Sequence, residues 1–448
     1  MADARAAAEA FNRLVAENET AAVAHALALQ EAFSRSGVTY GGAPMRSFLR
    51  PHLVSRRDWA GLRDSGRRLL ECAARVARQV FGGDLGRLLD FLGTPEAERP
   101  WLEIDPGEPD VLMSRIDAFL TEAGPRVIEI NSDAPAGFGY GDRMASLFAE
   151  SDLHRRFAAL HPLRYVPSAP GLVGAFRRRH AAAGGNGTPR LAIVDWADVK
   201  TRPDQELLRE SFLRSGLDCR LADPREVELR GDRLFAGGVE IDLVYRRVLL
   251  QELLERPSDA RSLLTAYRAR PAAFQNSFRC RLSEDKAFLA ILSDDLHAAL
   301  LRPEERELVR RVVPWTRRVA EGRTTKDGTV VDLVPWVLAR REALVLKPAH
   351  GYGGASVVMG DEASDGEWQA RVVEALGAPW VVQERARIPQ EPFPVVSGGT
   401  LAFEALKVNV NPFYVAGAEV GAVARVSRSS VINVSAGGGS VPTFVLED

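Results

Sequence analysis

Residues 114–131 read SRIDAFLTEAGPRVIEIN, in which two runs of alternating polar and apolar residues flank the turn signal Glu122-Ala123-Gly124-Pro125. This pattern is typical of a β-hairpin. Because neighbouring side chains of a strand point to opposite faces, one face carries Ile116, Ile128 and Ile130, which we expect to pack in a core. The other face carries charged and amide side chains, so the hairpin separates a core from a polar surface.

The polar face of this hairpin carries four groups that suit a magnesium–phosphate site. A turn centred on Ala123 places Asp117 opposite Glu129. The same register places Arg115 opposite Asn131, and directly opposed residues lie about 5 Å apart. Magnesium binds carboxylate and amide oxygens, and a guanidinium group pairs with phosphate. The alternative is an exposed hairpin with an Arg–Glu salt bridge.

Lysine is rare in this chain, because arginine fills almost all of the 58 basic positions. A lysine that remains is therefore a candidate for a task that arginine performs poorly, such as binding a phosphate through a compact ammonium group. The lysines are Lys200, Lys286, Lys326, Lys347 and Lys407.

One of these lysines precedes a glycine-rich loop. Residues 344–347 predict an apolar strand that ends in Lys347, and Gly351-Tyr352-Gly353-Gly354 follows shortly after it. Glycines let a backbone turn tightly and direct several N–H groups at phosphate oxygens. A further strand follows the loop and no Gly-Lys-Ser/Thr is present, which argues against a P-loop kinase. A plain hairpin turn is the alternative, and His350 is interpreted as either functional or solvent-exposed.

Two further segments place polar residues where a nucleotide site would need them. Residues 380–384 form an apolar run that ends in Gln383 and Glu384, which suits an adenine and ribose pocket or a buried strand with a polar end. Lys286 begins a predicted helix after Ser283-Glu284-Asp285. Its ammonium group either contacts a nucleotide phosphate or is simply exposed to solvent.

Three arginines lie within or directly after predicted apolar strands. Arg425 lies in the middle of a predicted strand of small apolar residues, and a buried charge there needs an anionic partner. That partner is either a transferred phosphoryl group or a structural carboxylate. Arg246 and Arg247 follow the apolar run that ends in Tyr245. They either bind a substrate carboxylate or have a structural role.

The bulk composition excludes several classes of protein. The formal net charge is −2 over 448 residues, which favours neither nucleic acid nor an anionic membrane as a partner. The cysteines Cys72, Cys219 and Cys280 lie too far apart for a metal-binding spacing. No apolar run has the length of a transmembrane helix and the first residues lack a signal-peptide core, so we expect a cytoplasmic protein.

The pattern of elements predicts an α/β (α+β) fold in four stretches. Residues 1–100 have helical periodicity, and 101–185 contain the hairpin with the metal and phosphate motif. Residues 186–275 alternate short apolar strands with a helix and predict a small Rossmann-like α/β lobe. Residues 276–448 contain the lysines and the remaining strands, and we expect them to form the nucleotide-binding lobes.

Together these residues resemble the circularly permuted ATP-grasp family, whose characterised members include glutathionylspermidine synthetase. The resemblance covers roughly residues 110–440. In an unpermuted member the metal-binding Glu-x-Asn motif comes last, whereas Glu129-Ile130-Asn131 precedes the lysines here. The resemblance implies ATP and Mg²⁺ as cofactors and three sets of site residues. These are the metal ligands Asp117, Glu129 and Asn131, the catalytic arginines Arg115 and Arg425, and the nucleotide-binding residues Lys286, Lys347, Gly351, Tyr352, Gly353, Gly354, Gln383 and Glu384.

The implied activity is that of a carboxylate–amine ligase, which activates an acid as an acyl phosphate, joins it to an amine and releases ADP and phosphate. Small molecules or peptides would supply the carboxylate and the amine. The family's hydroxyl residues after Glu-x-Asn are replaced here by Ala134 and Ala136, which puts glutathione and spermidine in doubt as substrates. The alternatives are a phosphotransferase that uses the same ATP site and a catalytically silent ATP-binding scaffold.

Overall fold

The protein, seen in a computed structural model, is described over residues 3–105, 107, 109–351, 356–432 and 438–447. The N-terminal stretch forms mainly helices, and the glycine–proline break near residue 42 forms a small two-stranded sheet. The elements are α1 (Ala4–Ala16), α2 (Glu19–Arg35), β1 (Thr39–Tyr40), β2 (Ala43–Pro44), β3 (His52–Ser55), α3 (Arg56–Ala77), α4 (Leu85–Leu92) and α5 (Arg99–Leu102).

The predicted hairpin is confirmed, and its four polar residues pair in the predicted register. The next elements are β4 (Met113–Thr121), β5 (Gly124–Asn131), α6 (Phe138–Ala149), α7 (Asp152–Ala158), β6 (Leu163–Arg164) and α8 (Ser168–Ala182). The turn has only two residues, since Thr121 pairs with Gly124. A register shift at Ile128 adds one residue to β5, which restores the pairing of Asp117 with Glu129.

The same register shift corrects the predicted position of Ile128. Ile116 and Ile130 are buried in the core, as predicted from alternation. Ile128 is only partly buried and lines a cleft beside Glu129. An extra residue in one strand disturbs the alternation of faces, and the sequence pattern alone did not locate that residue.

A small α/β lobe follows, in which four parallel strands form a sheet of order β13-β12-β7-β8. A three-stranded antiparallel sheet of β9, β10 and β11 extends the lobe. The elements are β7 (Leu191–Val194), α9 (Arg202–Arg214), β8 (Cys219–Ala222), β9 (Val227–Arg230), β10 (Arg233–Ala236), β11 (Val239–Ile241), β12 (Leu243–Arg246), α10 (Leu250–Glu255), α11 (Arg261–Ala269) and β13 (Ala273–Gln275).

The next stretch builds a four-stranded antiparallel sheet of order β14-β19-β17-β18 and a separate β15–β16 hairpin. Its elements are α12 (Arg281–Glu284), α13 (Lys286–Ser293), α14 (Pro303–Val312), β14 (Thr316–Arg318), β15 (Arg323–Lys326), β16 (Thr329–Asp332), α15 (Leu333–Ala339), β17 (Leu344–Pro348), β18 (Val358–Met359), α16 (Asp365–Leu376) and β19 (Trp380–Glu384).

The largest sheet joins both ends of the chain. Its last strands are β20 (Gln390–Ser397), β21 (Thr400–Val415), β22 (Ala422–Ser427) and β23 (Gly439–Leu446). The order is β3-β23-β22-β21-β4-β5, with β20 beside β21 and β6 beside β23. The sheet therefore draws strands from three of the four predicted stretches, and that division into stretches stays a prediction.

Helix α3 covers one face of this sheet. Tyr414 in β21 donates a hydrogen bond of 2.8 Å to the carbonyl of Leu62, and its ring passes against Gly66. Ile116 and Ile130 of the hairpin belong to the same buried cluster as Leu69 of α3. The opposite face carries the polar hairpin residues, so α3 fixes which face of the sheet is left for a site. Within the described residues, no helix is both long and apolar enough to cross a membrane.

Two glycines of α3 test this packing. A Cβ at Gly66 would overlap the Tyr414 ring, whereas a Cβ at Gly61 meets no atom within 4 Å. We expect Gly66→Ala to lower the free energy of unfolding by roughly 1–3 kcal/mol through overpacking. Gly61→Ala should raise it by about 1 kcal/mol through helix propensity. Denaturant unfolding measures both, and equal effects of the two substitutions would contradict this packing.

Candidate active site

A cleft lies between the polar face of the large sheet and the end of the four-stranded sheet that carries β17 and β19. It contains about 1120 Å³ of empty space, part of which is open to solvent. Ile128, Val345, Met359 and Ile388 contribute to an apolar part of its wall. Its polar lining includes Arg115, Asp117, Glu129, Asn131, Lys286, Lys347, His350, Gly351, Gln383, Glu384, Arg385, Asn409, Arg425 and Ser430.

Asp117 is the most heavily bonded carboxylate of the cleft. Arg115 donates to its Oδ1 at 2.9 Å, and Asn131 donates to the same oxygen at 3.1 Å. Arg425, from β22, donates to Oδ2 at 2.8 Å. Burial alone would raise the pKa of Asp117, but the guanidinium groups of Arg115 and Arg425 outweigh burial and hold it below its usual value. In the ligand-free protein Arg425 therefore pairs with a carboxylate, and its binding of a phosphoryl group stays a prediction.

Glu129 faces Asp117 across the hairpin and pairs with a lysine from another part of the chain. The Nζ atom of Lys286 lies 2.7 Å from Glu129. Lys286 begins α13 as predicted, and Asp285 caps the helix by accepting from the Ala287 amide at 2.8 Å. Burial would lower the pKa of Lys286, but Glu129 outweighs burial and raises it. The ammonium group therefore stays charged at the polar end of the cleft.

Lys347 lies near the end of β17 and is buried. Its Nζ atom donates to Gln383 Oε1 at 2.8 Å, and the Gln383 amide donates to Thr316 Oγ1 at 2.9 Å. Burial lowers the pKa of Lys347 to about 8, with Lys286 adding repulsion and Glu129 opposing both. Gln383 thus orients Lys347. Nucleotide binding by Gln383 stays a prediction.

The remaining predicted nucleotide residues have different outcomes. Glu384 ends β19, lines the cleft and lies 3.4 Å from Lys326. The carbonyl of Gly351 accepts from Lys286 Nζ at 2.9 Å, so the first residue of the predicted glycine loop reaches the cleft. Tyr352, Gly353 and Gly354 lie outside the described residues.

The residues present fit both a metal ion and a polyphosphate. Asp117, Glu129 and Asn131 place two carboxylates and one amide side by side, which is a hard-oxygen set of the kind that Mg²⁺ prefers. Five lysines and arginines against three carboxylates leave the described lining with an excess of positive charge. A bound anion would compensate that excess, and an apolar wall lies beside it for a flat ring.

The polar lining also contains residues that were not predicted, which are Arg385, Asn409 and Ser430. Asn409 of β21 pairs with Arg425 of β22 and lines the cleft. Its amide donates to the Ala118 carbonyl at 2.9 Å, and its own oxygen accepts from Asn411 at 2.7 Å. A signal was available, because Lys407, Asn409 and Asn411 alternate with valines in a strand pattern.

Arg246 and Arg247 form ion pairs within the chain, and binding of a substrate carboxylate by either one stays a prediction. Both are buried, and they pair with Asp133 at 2.5 Å and Asp204 at 3.1 Å respectively. Asp204 also accepts from the amide of Gly137 at 3.0 Å. The two ion pairs therefore hold the turn that leaves the hairpin directly after the candidate metal ligands.

Comparisons with known proteins show which known fold this chain resembles. No family model matches the chain. An uncharacterized protein of Mycobacterium leprae is 24% identical over 94% of this chain and 77% of its own length. A putative glutamate–cysteine ligase of Frankia alni is 24% identical over 91% of this chain, which spans only 48% of that relative. A glutathione synthetase-like effector from Globodera pallida has a TM-score of 0.60 at 11% identity and covers 95% of this chain and 97% of its own. The chain therefore has a mixed helix-and-sheet fold like that of this glutathione synthetase-like protein.

The ionisation of Lys347 gives a test of the site in the ligand-free protein. Between pH 8 and the unfolded pKa of about 10.4, the unfolded state binds one more proton, so the free energy of unfolding rises with pH. Lys347→Met removes this dependence. Its stability relative to the wild type should be most favourable below pH 8 and should fall by on the order of 2 kcal/mol towards pH 10.

Denaturant unfolding at pH 7 and pH 10 measures this difference. The lost hydrogen bond to Gln383 affects both pH values, so the change between them isolates the charge. A difference that stays constant with pH would contradict a lowered pKa for Lys347.

Proposed function

We propose that this chain is an ATP-dependent ligase of the circularly permuted ATP-grasp type, which forms an amide bond between a carboxylate and an amine. The observation that carries the proposal is the convergence of Asp117 and Glu129 with four basic side chains in one cleft with an apolar wall. Oxygen ligands, excess positive charge and an apolar wall suit the metal, the phosphates and the base of ATP respectively.

In this proposal the hairpin holds the metal through Asp117, Glu129 and Asn131. A metal held there would supply positive charge that neutralises phosphate charge. Lys286 and Lys347 come from two other elements and line the same cleft. The negative charge of Glu129 raises the pKa of both lysines relative to burial alone. Their ammonium groups would bind phosphate oxygens, as compact point charges do.

Arg115 and Arg425 would orient and stabilise the transferred phosphoryl group. Each guanidinium group is fixed by Asp117, and Arg115 also donates to the Ala136 carbonyl at 3.1 Å. Preorganised cations of this kind stabilise developing negative charge without moving at the moment of reaction. The flat ring of the nucleotide would lie against Val345 and Met359, with Glu384 at the rim.

The proposed reaction has two steps that this arrangement supports. A carboxylate oxygen of the acid attacks the terminal phosphorus of ATP, and ADP leaves. The amine then attacks the acyl carbon, phosphate leaves, and the amine loses a proton. Both steps are accelerated by positioning the reactants and by neutralising charge. These are the two contributions that the cleft residues would make.

Only the comparisons with known proteins indicate which acids and amines to test first. Two relatives bear the name putative glutamate–cysteine ligase, and the chain spans 48% and 37% of their lengths. The named activity can therefore belong to the part of those proteins that this chain does not match. Glutamate and cysteine are accordingly one pair to test, beside other amino acids, small peptides and polyamines.

The deciding experiment identifies the nucleotide product. We expect the purified protein with Mg-ATP and pooled acids and amines to form ADP only when an acid and an amine are both present. Asp117→Asn and Glu129→Gln should each reduce ADP formation by about 100-fold or more, because each removes a carboxylate from the proposed metal site. Chromatography of the nucleotides and mass spectrometry of the products measure this.

Glu404→Gln is the matched control, since Glu404 pairs with Arg428 on the same sheet but away from the cleft lining. It should leave turnover unchanged. AMP with pyrophosphate as products would overturn the acyl-phosphate route. ADP formation that needs an acid but no amine would instead indicate a phosphotransferase.

A further inference from the structure

Two lysines of the cleft are held close to one another despite their like charge. Lys286 begins α13 and Lys347 lies near the end of β17, and the charge of Lys286 helps to lower the pKa of Lys347. Glu129 attracts both. The elements that carry them are far apart in sequence, so tertiary contacts must keep the lysines together.

Three consecutive residues after β17 contact the start of α13. The amide of Lys286 donates to the Ala349 carbonyl at 3.4 Å, and its Nζ donates to the Gly351 carbonyl at 2.9 Å. Between these two contacts, His350 Nδ1 lies 2.5 Å from Asp285 Oδ2. The His350–Asp285 pair is the contact of this set that joins two side chains.

The ring of His350 has an oxygen acceptor near each nitrogen. Nδ1 faces Asp285, and Nε2 lies 3.3 Å from the carbonyl of Gly93 at the end of α4. A neutral imidazole donates through one nitrogen only, whereas an imidazolium donates through both. Both contacts are therefore satisfied together only when His350 is protonated.

The charges around this ring come from three further elements. Arg281 of α12 lies 3.3 Å from Nδ1 and opposes protonation, but it is itself paired with Glu98 before α5. Lys286 lies beyond Asp285 and is paired with Glu129. Burial would lower the pKa of His350, but the carboxylate of Asp285 outweighs burial and Arg281 and raises it.

We propose that His350 is a positioning residue whose imidazolium, bonded to Asp285 and to the Gly93 carbonyl, holds the two lysine-bearing elements together and so makes nucleotide affinity depend on pH. This inference rests on the proposed function, because it concerns the same phosphate-binding lysines. The ring acts through Asp285 on α13 and through the backbone on β17. When His350 loses its proton, its contacts to Asp285 and to the Gly93 carbonyl weaken. The repulsion between Lys286 and Lys347 then moves the two lysines apart.

The test compares the wild type with His350→Gln in calorimetric binding of a non-hydrolysable Mg-ATP analogue between pH 6 and pH 9. We expect His350→Gln to bind about tenfold more weakly at pH 6, since one charge-assisted tie is lost. The ratio of the two dissociation constants should fall towards one as the pH rises. Lys347 also titrates in this range, so the midpoint in Asp285→Asn is needed beside the ratio to assign the change to His350.

Asp285→Asn separates a positioning role from a merely structural one. Asparagine still caps α13 but carries no charge, so the pKa of His350 should fall. The pH at which affinity declines should move down with it. Histidine ring ¹⁵N spectra measure the protonation directly, and His350→Gln identifies its signal among the seven histidines. His297→Gln, at a partly buried histidine outside the cleft lining, is the control and should change nothing.

The outcomes separate the two proposals. If the wild type binds no Mg-nucleotide at any pH, the proposed function fails and this inference fails with it. If the wild type binds but the ratio to His350→Gln does not change with pH, only the role of His350 is overturned. A midpoint that does not move in Asp285→Asn overturns it as well, and this reading does not depend on the folding of His350→Gln.

Discussion

The site depends on one buried carboxylate, Asp117, held between Arg115 and Arg425. A charge that is almost removed from water is tolerated only when it is paired and hydrogen-bonded, and Asp117 receives three such bonds. Arg115 comes from the same strand, whereas Arg425 comes from β22, on the far side of β21. The interaction therefore ties the hairpin to the C-terminal strands and sets the two arginines at a fixed separation from the candidate metal ligands.

The charge balance of the cleft follows from the same constraint. Asp117 pairs with two guanidinium groups, and Glu129 pairs with Lys286. Among the residues that the structure describes, the buried Lys347 has only the neutral amide of Gln383 as a hydrogen-bond partner. Burying a lysine costs free energy, and the lowered pKa of Lys347 shows that the attraction of Glu129 and Asp117 does not offset burial. A polyphosphate would supply the missing negative charge. The ligand-free cleft is thus less stable electrostatically than the same cleft with an anion bound, as a binding site is expected to be.

Local patterns in the sequence predicted what depends on neighbouring residues. Alternation gave the two strands of the hairpin, and the pairing of Asp117 with Glu129 was right although the turn is shorter than expected. The turn has two residues, and an extra residue at Ile128 compensates for its shortness. Alternation of polar and apolar residues cannot predict either detail. The order of strands in the large sheet was also beyond prediction, because Asn409 and Arg425 reach the hairpin through pairings across some three hundred residues. The pairing of Arg246 and Arg247 with Asp133 and Asp204 was missed for the same reason.

Those long-range pairings bear on the proposed permutation of the motif order. The geometry of the cleft is set by which strands lie beside β4, not by whether they precede or follow it along the chain. Strand β21 contacts β4 through side-by-side backbone hydrogen bonds, and the polypeptide between them passes through two other lobes. Moving the hairpin from the end of a chain to its beginning would therefore leave Asp117, Asn409 and Arg425 in the same neighbourhood, provided the sheet order were kept. A site built on adjacent strands is thus compatible with either motif order.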